Sequence, residues 1–144
     1  MDIQPARHSV SVSGVIRDDR GRVLLIRRRD NQHWEPPGGV LELAETIHDG
    51  LRREVREETG LDVEPDALTG VYKNMPRGII ALVFRCKITG GHLTPNDEVT
   101  AFHWADQNDI RQYTSEAYAV RLLDALREGT RPAIRQHDGT DLLD

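Results

Sequence analysis

The stretch RREVREETG, Arg52 to Gly60, constrains this chain more than any other. Ile47, Leu51 and Val55 recur every fourth residue, which lays one apolar stripe along a helix. Gly60 suits the left-handed position that closes such an element. A helix over about Thr46 to Thr59 follows. On a wheel of about 100° per residue with Ile47 at zero, Leu51 falls at about 40° and Val55 at about 80°. Glu58 then falls at about 20°, Glu54 at about 340° and Glu57 at about 280°. Three carboxylates therefore flank the apolar stripe at the end of the helix where the dipole disfavours acids, and Glu54 and Glu58 repel each other at i,i+4. Two like charges about 4 Å apart cost roughly 1 kcal/mol in water and about 4 kcal/mol at an effective dielectric near 20. A hard divalent cation, Mg2+ or Mn2+, would relieve that repulsion and bridge to phosphate. Taken alone, the same residues also fit a solvated face of alternating charge.

The rest of the sequence sets the frame for this helix. The chain has 144 residues, enough for one domain with a single core, and its 38% hydrophobic content is that of a folded protein. A formal net charge of −5 argues against a nucleic-acid partner, which needs a basic face, but not against a small anionic substrate brought in with a metal. A single cysteine, Cys86, rules out an internal disulfide. MDIQPARHSV has no apolar leader, and no run approaches the roughly 20 apolar residues of a membrane span. A cytoplasmic protein with no membrane partner is expected.

Val10 to Arg17 and Arg22 to Arg28 read as two strands joined at Asp18 to Gly21, a hairpin. Leu68 to Tyr72, Ile79 to Ile88 and Val99 to Trp104 read as further strands, the nearly all-apolar second one central. Thr114 to Glu128 reads as a second helix stopped by Gly129. Residues 131–144 read as a polar, loosely held tail behind a domain over 1–130. Strands mixed with two amphipathic helices predict an α/β sandwich with helices on the sheet faces.

Gly39 to Leu61, GVLELAETIHDGLRREVREETGL, resembles the Nudix signature G-x5-E-x7-R-E-U-x-E-E-x-G-U, where U is a bulky aliphatic residue. Gly39, Glu45, Arg53, Glu54, Val55, Glu57, Glu58, Gly60 and Leu61 fill every fixed position. Trp34 through Gly39 resembles the family's W-x-x-P-G-G approach, although Pro36 and Ala44 depart from its commoner residues. The resemblance implies an α/β/α sandwich with a mixed β-sheet between helices. It also implies metal-assisted hydrolysis of a diphosphate, with Mg2+ or Mn2+ as cofactor. By that resemblance Glu57 and Glu58 are metal ligands, and Glu54 is a ligand or general base. The Gly38 carbonyl completes the shell, Arg53 holds the carboxylates by ion pairing, and Glu45 fixes the loop. Glu98, ahead of the strand that carries Trp104, resembles the further acid many members draw from a loop, with Asp97 its neighbouring candidate.

Arg28 matches an arginine that meets substrate phosphate in some nucleotide-cleaning members, where a guanidinium pairs well with phosphate. Tyr72, Arg77 and Arg85 are further candidates for the pocket wall. The six histidines show no zinc spacing. The signature specifies chemistry, not substrate. Pro76, fifteen residues past Leu61, resembles the spacing of ADP-ribose-cleaving members, while the short chain resembles the triphosphate-cleaning type. YTSEAY, Tyr113 to Tyr118, lacks the asparagine that reads oxidised guanine in that type. The expected substrate is a nucleoside diphosphate linked to another moiety, a (deoxy)nucleoside triphosphate before ADP-ribose or a nucleotide sugar. A module that senses a nucleotide without cleaving it is the competing reading, and the intact set of box glutamates argues against it. A homodimer stays open, since no sequence feature reads the oligomeric state.

Overall fold

The computed structural model describes residues 3–129 and 131–143. In chain order the elements are β1 (Ser9–Ile16), β2 (Val23–Arg28), β3 (Trp34–Glu35), β4 (Gly38–Val40), α1 (Ile47–Thr59), β5 (Leu61–Asn74) and β6 (Ile79–Gly91). They are followed by β7 (Val99–Ala105), α2 (Ile110–Tyr113), α3 (Glu116–Leu126), β8 (Ala133–His137) and β9 (Leu142–Leu143). A six-stranded mixed sheet runs β4-β1-β6-β5-β8-β9, and a three-stranded antiparallel sheet runs β3-β2-β7. The mixed sheet and its helices are the expected α/β architecture.

The two long helices occupy separate cores. Leu51 and Val55 of α1 pack with Val12, Ile16, Phe84 and Cys86. Ala119, Leu122 and Ala125 of α3 pack with Val15, Tyr72 and Val83. Strand β2 feeds both cores by alternation, Val23 and Leu25 to the α3 side and Leu24 to the α1 side. Strand β6 reads as nearly all apolar because it lies between β1 and β5 with a core on each face.

The expected β1–β2 hairpin does not form. Both edges of β1 are taken, by parallel β6 and antiparallel β4, and among the described residues its pairing toward β2 is the isolated bridge Arg17↔Val23. Alternation identifies the two strands, but it carries no information on which strand each one pairs with. The expected loose tail is also ordered where it is described. β8 lies parallel to β5, Gly70↔Ala133 through Asn74↔His137, and β9 returns against it. Its inward-facing side chains are polar, which hides it from a hydrophobic pattern. Arg135 reaches Asp124 through two bonds of 2.8 and 2.7 Å, and His137 is buried, while Ile134 faces solvent.

Asp124 also accepts the Tyr72 hydroxyl at 2.6 Å. Burial pushes the Asp124 carboxyl up, but hydrogen bonds from Arg135 and Tyr72 outweigh it and hold the group below the usual carboxylate range. Tyr72→Phe should lower stability by about 1–2 kcal/mol in urea unfolding, the loss of one hydrogen bond to a buried charged acceptor. It should leave substrate KM unchanged.

Candidate active site

Thr46 caps α1, its side-chain oxygen accepting from the Asp49 N–H at 3.2 Å. At the other end Gly60 takes φ 81° and donates its N–H to the Arg56 carbonyl. Between these stops, Glu54 and Glu58 turn toward β4. Glu58 is 5% exposed and accepts the Gly38 N–H at 2.7 Å. The Glu54 carboxylate lies so close to Gly39 that a β-carbon there would overlap it. The glycine pair is thus the floor against which the helical acids rest.

Arg53 ties the acids from the side. It grips Glu45 through two bonds of 2.8 and 2.6 Å, reaches Glu54 at 2.9 Å and meets Glu57 at 3.4 Å. Glu45 in turn accepts the Glu42 N–H at 2.8 Å, which anchors the loop before α1. The opposite wall is the segment before β7. Asn96 donates to the Glu58 carbonyl at 2.8 Å and accepts the N–H groups of Glu98 and Val99 at 3.0 and 3.1 Å. Arg29 clamps the same segment, Nε to the Asp97 carbonyl at 2.7 Å and backbone N–H to the Glu98 carbonyl at 2.9 Å.

These walls enclose a cavity of about 530 Å³ lined by Arg28, Arg29, Glu54, Glu58, Asp97 and Glu98, with Gly38 to Val40 beneath. Its electrostatics are those of crowded acids. Burial lifts Glu58 to about 8, with the Gly38 N–H opposing and Glu54, Glu35 and Glu98 adding to the rise. Burial also raises Glu54, against the pull of Arg53 and with help from Glu57 and Glu98. Glu45 is held down at about 2, chiefly by its bonds from Arg53.

Among the described residues no three His, Cys, Asp or Glu side chains are closed into a ligand set. The box glutamates instead direct oxygens to Arg53 and Gly38. The donor set nevertheless fits a hard divalent cation. A buried carboxylate beside two others, all oxygen donors, is the kind of site that Mg2+ or Mn2+ neutralises and that a softer metal would not select.

Glu54, Glu58 and Glu98 line the cavity, while Glu57 lies outside its lining, paired with Arg53 and with 53% of its side chain exposed. Among the expected substrate residues, Arg28 lines the cavity and pairs with Asp30 at 2.6 Å and Glu35 at 3.2 Å. The other three are placed elsewhere. Tyr72 is fully buried in the α3 core. Arg77 sits in the exposed β5–β6 turn, and Arg85 pairs with Asp66 at 3.3 Å beside a separate surface groove. Arg29 and Asn96, which the sequence places in a strand end and a turn without marking either as a site residue, shape the wall. The TPND turn around Asn96 was the available signal.

The family model described as the NUDIX domain matches residues 7–126. The chain belongs to the Nudix family. A MutT-like protein of Streptomyces ambofaciens is 55% identical over 139 residues, covering 96% of this chain and 90% of that one. An ADP-ribose pyrophosphatase of Methanocaldococcus jannaschii is 36% identical over 109 residues, 71% of this chain and 64% of that one. A Nudix hydrolase structure from Nitrosomonas europaea superposes with a TM-score of 0.79 at 21% identity, over 94% of this chain and 83% of that one. The chain is accordingly a Nudix hydrolase, and no helix among the described residues is long and apolar enough to cross a membrane.

The raised Glu58 carboxyl has a measurable consequence in the metal-free Nudix enzyme. The folded state holds this proton more tightly than the unfolded state, so its contribution is fully present below about pH 4.5, the ordinary glutamate value, and is lost as pH rises toward about 8. Glu58→Gln should therefore raise the metal-free Tm more at pH 8.5 than at pH 5, as read by thermal unfolding in chelator at both pH values.

Proposed function

We propose that this Nudix hydrolase is a divalent-metal-dependent pyrophosphohydrolase acting on a nucleoside diphosphate linked to another moiety, with a (deoxy)nucleoside triphosphate as the preferred class. The observation that carries this reading is one cavity with Glu54, Glu58 and Glu98 on it and two arginines, Arg28 and Arg29, beside them. Anionic phosphate needs both: cations from the chain to bind it, and acids to hold the metal that neutralises it. Glu57 and Glu58 are assigned as metal ligands, Glu54 and Glu98 as ligand or general base, and the Gly38 carbonyl as a further oxygen donor. The bound ion, Mg2+ or Mn2+, would polarise the phosphoryl oxygens and favour ionisation of water.

The chain's own residues account for the remaining tasks. Arg53 is a positioning residue, holding Glu45, Glu54 and Glu57 in register from outside the cavity. Arg28 presents a guanidinium to the phosphate chain. In the reaction an oxygen–phosphorus bond forms from water, the bond to the bridging oxygen breaks, and the carboxylate base takes the water proton. The identity to the Methanocaldococcus jannaschii protein named ADP-ribose pyrophosphatase, together with Pro76, favours a second reading in which the linked moiety is a ribose phosphate.

A panel of nucleoside triphosphates, ADP-ribose and nucleotide sugars, assayed with Mg2+ and Mn2+, separates these readings by kcat/KM. Glu57→Gln should lower kcat on the order of a hundredfold or more while circular dichroism stays unchanged. Undiminished turnover in that variant would remove Glu57 from the metal set. Hydrolysis in oxygen-18 water, read by mass spectrometry, identifies the attacked phosphorus.

A further inference from the structure

One further acid lines the cavity that holds Glu54, Glu58 and Glu98. It is Asp30, in the turn between β2 and β3, and the metal-binding reading has no use for it. An acid on the wall of a cavity for polyphosphate works against binding, so its placement needs a reason. The turn that carries it is tightly built. The Arg28 N–H donates to the His33 carbonyl and the Gln32 N–H to the Arg28 carbonyl, both at 2.9 Å. The Asn31 side chain accepts the His33 N–H at 2.9 Å, and the Gln32 side chain donates to the Arg29 carbonyl at 3.0 Å. Gln32 has φ 60°, the left-handed region that residues other than glycine seldom enter. Chain reversal of this kind brings Asp30 back onto Arg28, two residues before it.

The contact is side-on. Arg28 Nε donates to Asp30 Oδ1 at 2.9 Å and Nη2 to Asp30 Oδ2 at 2.6 Å. Two parallel N–H donors on one edge are the fork with which a guanidinium grips a carboxylate or a phosphate. The third nitrogen, Nη1, donates to Glu35 at 3.2 Å. All three nitrogens of Arg28 are thus engaged by carboxylates of the same chain. The two partners differ in what it costs to part from them. Glu35 has 14% of its side chain exposed and sits opposite Ile26 of β2, fixed by strand pairing. Burial pushes its carboxyl up against the pull of Arg28, and losing that cation would strand a buried acid. Asp30 has 62% of its side chain exposed, so water compensates it on leaving, and an exposed pair is weak. Its bond from Arg28 holds the Asp30 carboxyl below the usual carboxylate range, which keeps it an anion. An incoming anion therefore displaces Asp30 and leaves Glu35 in place.

We propose that Asp30 is an internal stand-in for phosphate: it occupies the Nε–Nη2 edge of Arg28 in the free enzyme and is exchanged for a phosphate of the substrate, while Glu35 keeps the guanidinium over the cavity. The inference rests on the pyrophosphohydrolase reading, which makes Arg28 a phosphate-binding residue. The exchange trades one ion pair for another, so Asp30 sets affinity by competition. Substrate and product both bind more weakly than an uncovered Arg28 would hold them. That is a uniform effect on binding, which raises KM without changing the chemical step. Asp30 touches no reacting atom and acts through Arg28 alone.

The test is a double-mutant cycle on Asp30→Asn and Arg28→Gln, read by KM and kcat on the best nucleotide substrate and by calorimetry with methylenediphosphonate and Mg2+. The P–C–P bridge of that probe cannot be hydrolysed, so its binding needs no turnover. Asp30→Asn keeps one acceptor oxygen and removes the charge. It should lower KM about twofold to fivefold with kcat held, and tighten methylenediphosphonate by the same factor. In the Arg28→Gln background the same change should have an effect close to onefold, because the partner it competes for is gone. If circular dichroism shows Arg28→Gln unfolded, Arg28→Lys keeps a cation beside Glu35 without the fork, and the gain must then be smaller than in wild type. A KM and probe affinity that stay level or worsen in Asp30→Asn overturn the proposal. An equal gain in both Arg28 backgrounds also overturns it, since Asp30 then acts only through the net charge of the cavity. Tighter probe binding by Asp30→Asn with no nucleotide hydrolysed upholds the stand-in and sinks the hydrolase reading. Hydrolysis with KM and probe affinity identical to wild type does the reverse.

Discussion

The contact between the helical acids of α1 and the glycine turn of β4 is the constraint on which the rest of the site depends. Glu58 can be buried only because Gly38 offers a backbone N–H at 2.7 Å, and Glu54 can lie flat only because Gly39 has no side chain. Burial raises the proton affinity of Glu54 and Glu58, and the neighbouring carboxylates add to it, so the folded protein holds electrostatic strain that neutral packing would avoid. Arg53 offsets part of it by spanning Glu45, Glu54 and Glu57, but it approaches from outside and leaves the cavity side acidic. The helix is therefore arranged for its function, with stability coming from Leu51 and Val55 on the stripe beside the acids.

Much of this was legible in the sequence, for physical reasons that can be named. The i,i+4 stripe of Ile47, Leu51 and Val55 and the terminal Gly60 predict α1, and α1 occupies Ile47–Thr59 with Gly60 left-handed. The acids were readable because helical geometry alone puts Glu54 and Glu58 on one side. Long-range pairing was not readable. Both strands flanking β1 come from elsewhere in the chain, and no local pattern distinguishes a parallel crossover from a hairpin. Substrate residues were the least legible. Tyr72 and Arg85 occupy strand positions whose facing depends on which core lies behind them, and they are directed to Asp124 and Asp66 instead.

The polar residues missed by pattern reading share a property: each breaks the rule that the inward face of a strand or helix is apolar. Arg135 and His137 point inward from β8 and Ser13 from β1, and Arg121 is buried on α3 among Ala117, Val120, Leu122 and Ala125. A hydrophobicity pattern discounts such positions as surface.

The order in which the sheet is joined bears on biosynthesis. Ser9 pairs with Ile79, and β8 joins β5 only after α3. A nascent chain leaving the ribosome thus exposes the valines of β1 long before β6 emerges to cover that edge. Completion of the sheet waits on β8 and β9, and pairings this distant in sequence are of the kind that slows folding and prolongs exposure to self-association. A polypeptide ending before β8 would leave Arg121 without His137 and Asp124 without both Arg135 bonds.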